Sequence, residues 1–336
     1  MKRVLITGVA GFIGFNLSKC LISNNYCIYG LDNLNDYYDV NLKKDRLDIL
    51  NLSNQFEFKK LDLSINSDQI VDWIKQNKFE VIIHLAAQAG VRYSIENPLS
   101  YIQSNILGSV NLFEALKVNE FNGHLIIAST SSVYGEREKT AFKETDKSDQ
   151  QISLYSASKK SLESIAHSYS YNFNFKTTIL RFFTVYGPWG RPDMALFKFV
   201  KAINSNKSID VFNKGEMWRD FTYIDDLTES IKRLIPLQPR MKEENKKDSM
   251  SKVSPYRIIN IGNQNVIKLS DMIKILEKIM NKKAEINYMP MQKGDVNYTL
   301  SDSSLLFELT GYRPSTSIED GIKKFYEWYR DYYKVS

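Results

Sequence analysis

The sequence has no apolar run long enough to span a bilayer, only two cysteines and only three histidines, and each shortage removes a class of function. The apolar run at the start, Val4-Leu5-Ile6, is far too short for a signal or spanning segment and reads as a buried strand. The expectation is a cytoplasmic protein with no membrane partner. Cys20 and Cys27 fall in or beside the first predicted helix, lack metal-ligand spacing and fit a reduced interior. His84, His124 and His167 are scattered and have no acidic cluster beside them, so no metal is expected. Charge is also poor in pattern. The 45 basic and 39 acidic residues leave +6 spread along the chain, with no basic block to suggest nucleic acid.

What is present is ample core material: 336 residues, 43% hydrophobic and 25% charged. Short apolar runs at Val4–Ile6, Tyr26–Leu31, Val81–Ala87 and Leu125–Ala128 alternate with helical stretches at Phe12–Ile22, Pro98–Lys117 and Leu154–Tyr171. That alternation predicts an α/β fold, a Rossmann-like doubly wound parallel sheet. Between the first strand and first helix, Gly8, Gly11 and Gly14 follow one another at spacings of three. Glycine there tolerates unusual dihedrals and lets a pyrophosphate approach the amides at the positive end of the helix. The second strand ends in Asp32, whose carboxylate can accept from both hydroxyls of an adenosine ribose and repels a 2′-phosphate, which argues for NAD over NADP.

Tyr155-Ser156-Ala157-Ser158-Lys159 places a phenol and an ammonium four residues apart on one helix face. A cation close to a phenol favours the phenolate, so the pair could take a proton from a substrate hydroxyl. With 20 tyrosines in the chain the spacing alone arises by chance, and a solvated helix face explains it equally well. Its company decides. Thr7-Gly8-Val9-Ala10-Gly11-Phe12-Ile13-Gly14, Asp32, Asp62-Leu63, His84-Leu85-Ala86-Ala87, Ser129-Thr130-Ser131-Ser132-Val133-Tyr134-Gly135 and Tyr155-x-x-x-Lys159 occur in order along the chain. Together they resemble the extended short-chain dehydrogenase/reductase family. The resemblance implies that Tyr155 is the catalytic base, that Lys159 binds the nicotinamide ribose and lowers the Tyr155 pKa, and that Thr130 positions the reacting hydroxyl. It further implies NAD held by Gly8, Gly11, Phe12, Ile13 and Gly14, by Asp32 and Asn33, by Asp62 and Leu63, and by Leu85, Ala86 and Ala87.

Dehydratases and decarboxylases of that family resemble this stretch except for an acid just before Val-Tyr-Gly; here the position is Ser132. The run Arg181 to Ala195, with Thr184 and Trp189-Gly190-Arg191-Pro192-Asp193-Met194, and the insert Asn33 to Val40 resemble the UDP-glucuronate 4-epimerases over nearly the whole chain. The activity implied is interconversion of UDP-glucuronate and UDP-galacturonate by transient oxidation at C4. Oxidising C4 of a uronate makes a β-keto acid prone to lose CO₂, so Ser131, Ser132 and Thr184 are expected to hold the carboxylate and Arg191 to complement its charge or that of the phosphate. A 4-epimerase for neutral UDP-hexoses, or a nucleotide-sugar dehydratase or decarboxylase, are the alternatives.

Further along, Ile209 to Asn213, Arg219 to Asp226 and Gln292 to Val296 resemble the family's UDP-binding segments, which implies that Arg219 clamps the diphosphate, Phe212 lies against uracil and Asp295 accepts from the uridine ribose. Core packing serves as well for Phe212. The resemblance implies a NAD-binding domain over residues 1–180, completed by parts of 221–262, and a smaller α/β nucleotide-sugar domain mainly over 181–336. The polar stretch 238–254 reads as a mobile surface loop. A homodimer through the helices after Pro98 and around Tyr155 is implied by the same resemblance.

Overall fold

The structure, a computed structural model, describes residues 1–241 and 248–335. Seven strands form the central sheet: β1 (Arg3–Thr7), β2 (Cys27–Asp32), β3 (Phe56–Lys60), β4 (Val81–His84), β5 (His124–Thr130), β6 (Lys176–Phe182) and, after three strands placed elsewhere, β10 (Tyr256–Ile261). They lie in the order β10-β6-β5-β4-β1-β2-β3, and every pairing is parallel. The chain reverses its direction of growth between β1 and β4, and the carboxyl ends on either side of that point open a crevice. The strands left over make two small sheets. β7 (Thr184–Tyr186) and β11 (Val266–Lys268) flank β9 (Trp218–Tyr223), and β8 (Ile209–Phe212) pairs with β12 (Ile286–Met289).

Helices cover both faces of the central sheet, so its inner strands are apolar throughout rather than alternating with polar residues. Period two still shows in which core each side chain joins. Val4, Ile6, Ile83 and Ile126 enter one core, with Phe15 and Leu17 of the helix Phe12–Ile22. Leu5, Ile82, Leu125 and Ile127 enter the other, with Trp73, Leu112 and Leu162. The first core runs on without a break into Phe197, Leu276 and Phe325, so the later segments are packed onto the sheet rather than hung from it.

The stretch after Pro98, expected as a long helical stretch, is helical throughout but changes its winding. Its first turn, Pro98–Tyr101, runs into a π-helical segment, Ile102–Leu107, before the α-helix Gly108–Val118. The reason is visible at Asn105. Its buried amide accepts from Gln88 N at 2.7 Å and donates to Gln88 O at 3.0 Å and Ser158 Oγ at 2.9 Å. A wider turn brings that side chain inward, and such turns gather near functional sites.

Of the stretch 238–254, expected as a mobile loop, residues 242–247 lie outside the described residues. The part that follows is held: Asp248 is ion-paired with Arg257 at 3.0 Å, Ser249 bonds the Ile258 carbonyl, and Ser254 is buried.

Two buried histidines lock the sheet rather than serve chemistry. His84 bonds Thr7 Oγ1 and Ser109 Oγ, and burial pushes its pKa down to about 3; His124 bonds Ile235 O and Thr178 Oγ1 and is pushed down by burial to about 4. Both are neutral in the folded chain and charge in the unfolded chain below pH 6.5, so folding loses stability as pH falls from 7 to 5. Glu144 works in the opposite direction. Burial raises its pKa to about 7, so the folded state binds a proton that the unfolded state, with its ordinary carboxyl, does not. Glu144→Gln removes that offset, and its stability loss between pH 7 and pH 5 should exceed the wild-type loss by about 2 kcal/mol in urea melts. An equal loss in the two proteins would contradict this assignment.

Candidate active site

At the crevice the backbone is shaped by close approach. Gly8, which follows β1, has φ +73°, and a Cβ there would lie 2.8 Å from Ala86 N; a Cβ on Gly14 would lie 2.2 Å from Gly8 O. The helix Phe12–Ile22 has Gly11 at its N-cap with no side-chain cap, which leaves first-turn amides facing the cleft. Thr7 Oγ1 accepts from Leu85 N and Ala86 N at 3.2 and 3.1 Å, fixing the small residues after β4 against the glycine turn. Asp32 is held by Ala10 N at 3.1 Å and Leu34 N at 2.8 Å. Burial raises its pKa, while those two amides and the nearby Lys43 and Arg46 oppose the rise. Asn33 Nδ2 donates to Asp62 Oδ2 at 2.8 Å. Burial pushes Asp62 up, but the hydrogen bonds from Ser64 and Asn33 bring it below the ordinary carboxylate value. A dinucleotide fits this cradle: bare glycine backbone for the pyrophosphate, Asp32 for a ribose, and small residues at 86 and 87 for a flat ring.

The helix Leu154–Phe173 begins at Ser153, whose hydroxyl accepts from Ser156 N while the Ser156 hydroxyl accepts from Ser153 N, a capping box that sets Tyr155 in the first turn. One turn on, Lys159 Nζ donates to Ala128 O at 3.0 Å. Burial drives the Lys159 pKa down to about 8, and the Glu163 charge pulls it back up. Thr130 ends β5, where its hydroxyl accepts from Ser132 N at 3.1 Å, and it lies beside the Tyr155 phenol on the cleft wall. Burial places Tyr155 above the ordinary phenol value, while the Thr130 hydrogen bond and the Arg191 charge pull it down.

One cleft of about 420 Å³ collects these residues. Its walls include Gly8, Gly11, Phe12, Ile13, Gly14, Asp32, Asn33, Asp62, Leu63, Leu85, Ala86, Ala87, Thr130, Tyr155 and Lys159 at one end. Ser131, Ser132, Thr184, Arg191, Arg219 and Asp295 continue it. Phe212 stands apart from that wall, because the Arg92 guanidinium covers its ring at 4.7 Å from the centroid. The same Arg92 is ion-paired with Asp295 at 3.1 Å across the cleft mouth. Arg219 donates to Val296 O at 2.5 Å and Trp218 O at 3.0 Å; burial lowers its pKa, and Asp295 is the acid that most opposes this. Asp193, Tyr37 and Gln88 also bear on the site; Asp193 and Tyr37 lie within the run and the insert that carry the resemblance, which implies no role of their own for them, and Gln88 lies in no motif.

A family model described as GDP-mannose 4,6 dehydratase matches residues 5–325. The chain belongs to that family. Like its other members this GDP-mannose 4,6 dehydratase family chain is an extended short-chain dehydrogenase/reductase, as its motifs implied. It is 47% identical to a probable UDP-glucuronate 4-epimerase of Rhizobium meliloti over 99% of this chain and 98% of that protein. It is 44% identical to UDP-glucuronate 4-epimerase 4 of Arabidopsis thaliana, over 98% of this chain and 76% of that one. Among solved structures, UDP-glucuronic acid 4-epimerase from Bacillus cereus, in complex with UDP-glucuronic acid and NAD, superposes with a TM-score of 0.88 at 34% identity, covering 98% of this chain and 100% of that one. The Bacillus cereus structure therefore shares this fold over its full length.

Proposed function

We propose that this protein is an NAD-dependent epimerase that interconverts UDP-glucuronate and UDP-galacturonate. The observation that carries the reading is the wall beside the dyad: Ser131, Ser132, Thr184 and Arg191 line the same cleft as Tyr155. That donor set suits a sugar carboxylate, and the full-length likeness to epimerases of UDP-glucuronate supports it. Gly8, Gly11, Phe12, Ile13 and Gly14 are assigned to the NAD pyrophosphate, Asp32 and Asn33 to its adenosine ribose, and Asp62 with Leu63 to the adenine side. Leu85, Ala86 and Ala87 flank the nicotinamide half.

Bound NAD supplies a hydride acceptor at C4 that later returns the hydride to the other face of the sugar. The chain itself handles the proton and the geometry. Tyr155 takes the proton of the C4 hydroxyl and gives it back after the 4-keto sugar has turned, and Thr130 orients that oxygen. Lys159 holds the nicotinamide ribose. Because the keto sugar is a β-keto acid, it loses CO₂ when the carboxylate bond stands perpendicular to the ketone. Ser131, Ser132 and Thr184 hold the carboxylate off that geometry, and position 132 offers no acid to drive dehydration. Arg219 takes the diphosphate. Asp295 takes the uridine ribose once Arg92 releases it, and Phe212 supports uracil only through that same arginine.

Thr184→Val removes one of the restraining hydrogen bonds, worth about 0.5–1.5 kcal/mol, so the share of UDP-pentose in the product should rise up to about tenfold over wild type. Product NMR reads that share, and a variant that epimerises normally with no pentose would sink the restraint account. A faster rate on UDP-glucose than on UDP-glucuronate would favour the neutral-hexose reading.

In this assignment the seven-stranded sheet, residues 1–180 with 256–261, is the NAD-binding unit and the segments after 181 bind the nucleotide sugar. No helix of the described residues is long and apolar enough to cross a membrane, in line with a cytoplasmic site of action. Leu99, Ile102, Leu107 and Tyr171 stand exposed along the helices of 98–118 and 154–173, a face suited to a homodimer. Sedimentation at twice 39.0 kDa would support that assembly, and a monomer mass would remove it.

A further inference from the structure

Arg191 reaches the cleft from a loop, and a long arginine on a loop recognises a carboxylate only if its fork is already aimed. The aiming is done from behind. Asp193 accepts from Arg191 Nε at 3.0 Å and from Nη2 at 2.5 Å, a two-pronged pair that uses one edge of the guanidinium. Nη1 and the second proton of Nη2 are left for the cleft, where Arg191 and Tyr155 feel each other's charge. Asp193 is in turn fixed by the Tyr37 hydroxyl, which donates to Oδ2 at 3.2 Å. Burial pushes the Tyr37 pKa up to about 12, with Asp193 adding to the rise, so the phenol stays a donor.

Tyr37 is itself seated. Its ring lies 4.8 Å from that of Tyr93, and its hydroxyl fits over Gly90, where a Cβ would stand 2.6 Å away. It belongs to the 33–39 segment that leaves Asp32 at the end of β2, and Arg46, just beyond, donates to the Trp189 carbonyl two residues before Arg191. The segment after β2 is therefore bound to the loop that carries Arg191 at two points.

We infer that Asp193 and Tyr37 are positioning residues for substrate specificity: through Arg191 they set the angle at which the cleft meets the uronate carboxylate. This rests on UDP-glucuronate being the substrate. The competing account is a plain loop staple, which would loosen the whole cleft when cut. The two accounts separate on what changes. Asp193→Asn keeps the shape and removes the charge and one of the two acceptors. In the full-length holoenzyme it should raise KM for UDP-glucuronate about tenfold with kcat within about threefold. Tyr37→Phe should raise KM about threefold. Inhibition by UDP, which has no carboxylate, should be unchanged in both.

In an Arg191→Met background, Asp193→Asn should add less than about twofold, since a residue acting through Arg191 has nothing left to act on. The inference is overturned if KM stays at the wild-type value in Tyr37→Phe and Asp193→Asn, if UDP inhibition weakens in step with KM, or if the Asp193 and Arg191 effects add. Should Asp193→Asn fail to fold, Tyr37→Phe, which removes one oxygen, decides alone. A wild-type enzyme inert toward UDP-glucuronate is a separate result: it removes the substrate reading, and this inference falls with it.

Discussion

Tyr155→Phe should lower kcat on UDP-glucuronate by about a thousandfold, within the range a positioned general base supplies, while KM stays within about threefold of wild type. The substitution takes away one oxygen. The ring keeps its edge contact with Tyr101, whose centroid lies 6.1 Å away, so the cleft wall is preserved. What is lost is the group that receives the C4 proton. Thr130 remains, but a hydroxyl with an ordinary alcohol's acidity orients the substrate and cannot replace the base. Because burial lifts the Tyr155 pKa and the Thr130 hydrogen bond and Arg191 charge lower it, Arg191→Met should move the base further from neutrality as well as weaken binding. Steady-state rates of Tyr155→Phe above about a tenth of wild type would rule the phenol out as the base.

Glu163→Gln should destabilise the chain by about 3–5 kcal/mol, the loss expected when one partner of a buried ion pair is removed. Glu163 and Arg181 have side chains only 2% and 1% exposed. Arg181 Nε donates to Oε1 at 2.9 Å and Nη2 to Oε2 at 2.7 Å, and Ser129 Oγ adds a bond to Oε1 at 2.6 Å. Burial raises the Glu163 pKa, but the Arg181 hydrogen bonds and charge outweigh it and hold the carboxylate ionised. This cluster ties the dyad helix to β5 and β6 directly behind Lys159. The amide leaves Arg181 buried with an uncompensated charge, whereas Glu163→Gln combined with Arg181→Met removes both charges and should recover much of the loss. Urea melts measure the difference. A double variant no more stable than Glu163→Gln would show that the pair contributes through shape rather than charge. Lys159 should also lose its proton more readily in Glu163→Gln, since Glu163 is the charge that supports its ammonium.

The parts of the site legible in the sequence are those whose chemistry demands a fixed local spacing. Gly8, Gly11 and Gly14 must follow a strand and open a helix, Asp32 must end the next strand, and Tyr155 and Lys159 must sit one turn apart; the structure has all of them so placed. The sheet was legible for a similar reason, because strands buried on both faces are short, apolar throughout and separated by helices. What escaped depends on distant segments meeting. Tyr37 and Asp193 are 156 positions apart, and neither carries a pattern that announces the other. Asn105 widens its helix to reach Gln88 and Ser158, a choice that apolar periodicity does not record. The setting of Phe212 is of the same kind, since an aromatic at a strand end suits a base or a cation equally and only the fold brings Arg92 over its ring.

The central claim is that this cleft inverts C4 of a uronate without losing its carboxylate. Purified protein incubated with UDP-glucuronate, with and without added NAD, and followed by proton NMR of the anomeric signals tests it most directly. UDP-galacturonate as the sole new nucleotide sugar is the predicted result. A UDP-pentose, a deoxy-keto sugar, or no turnover even with NAD supplied would contradict it.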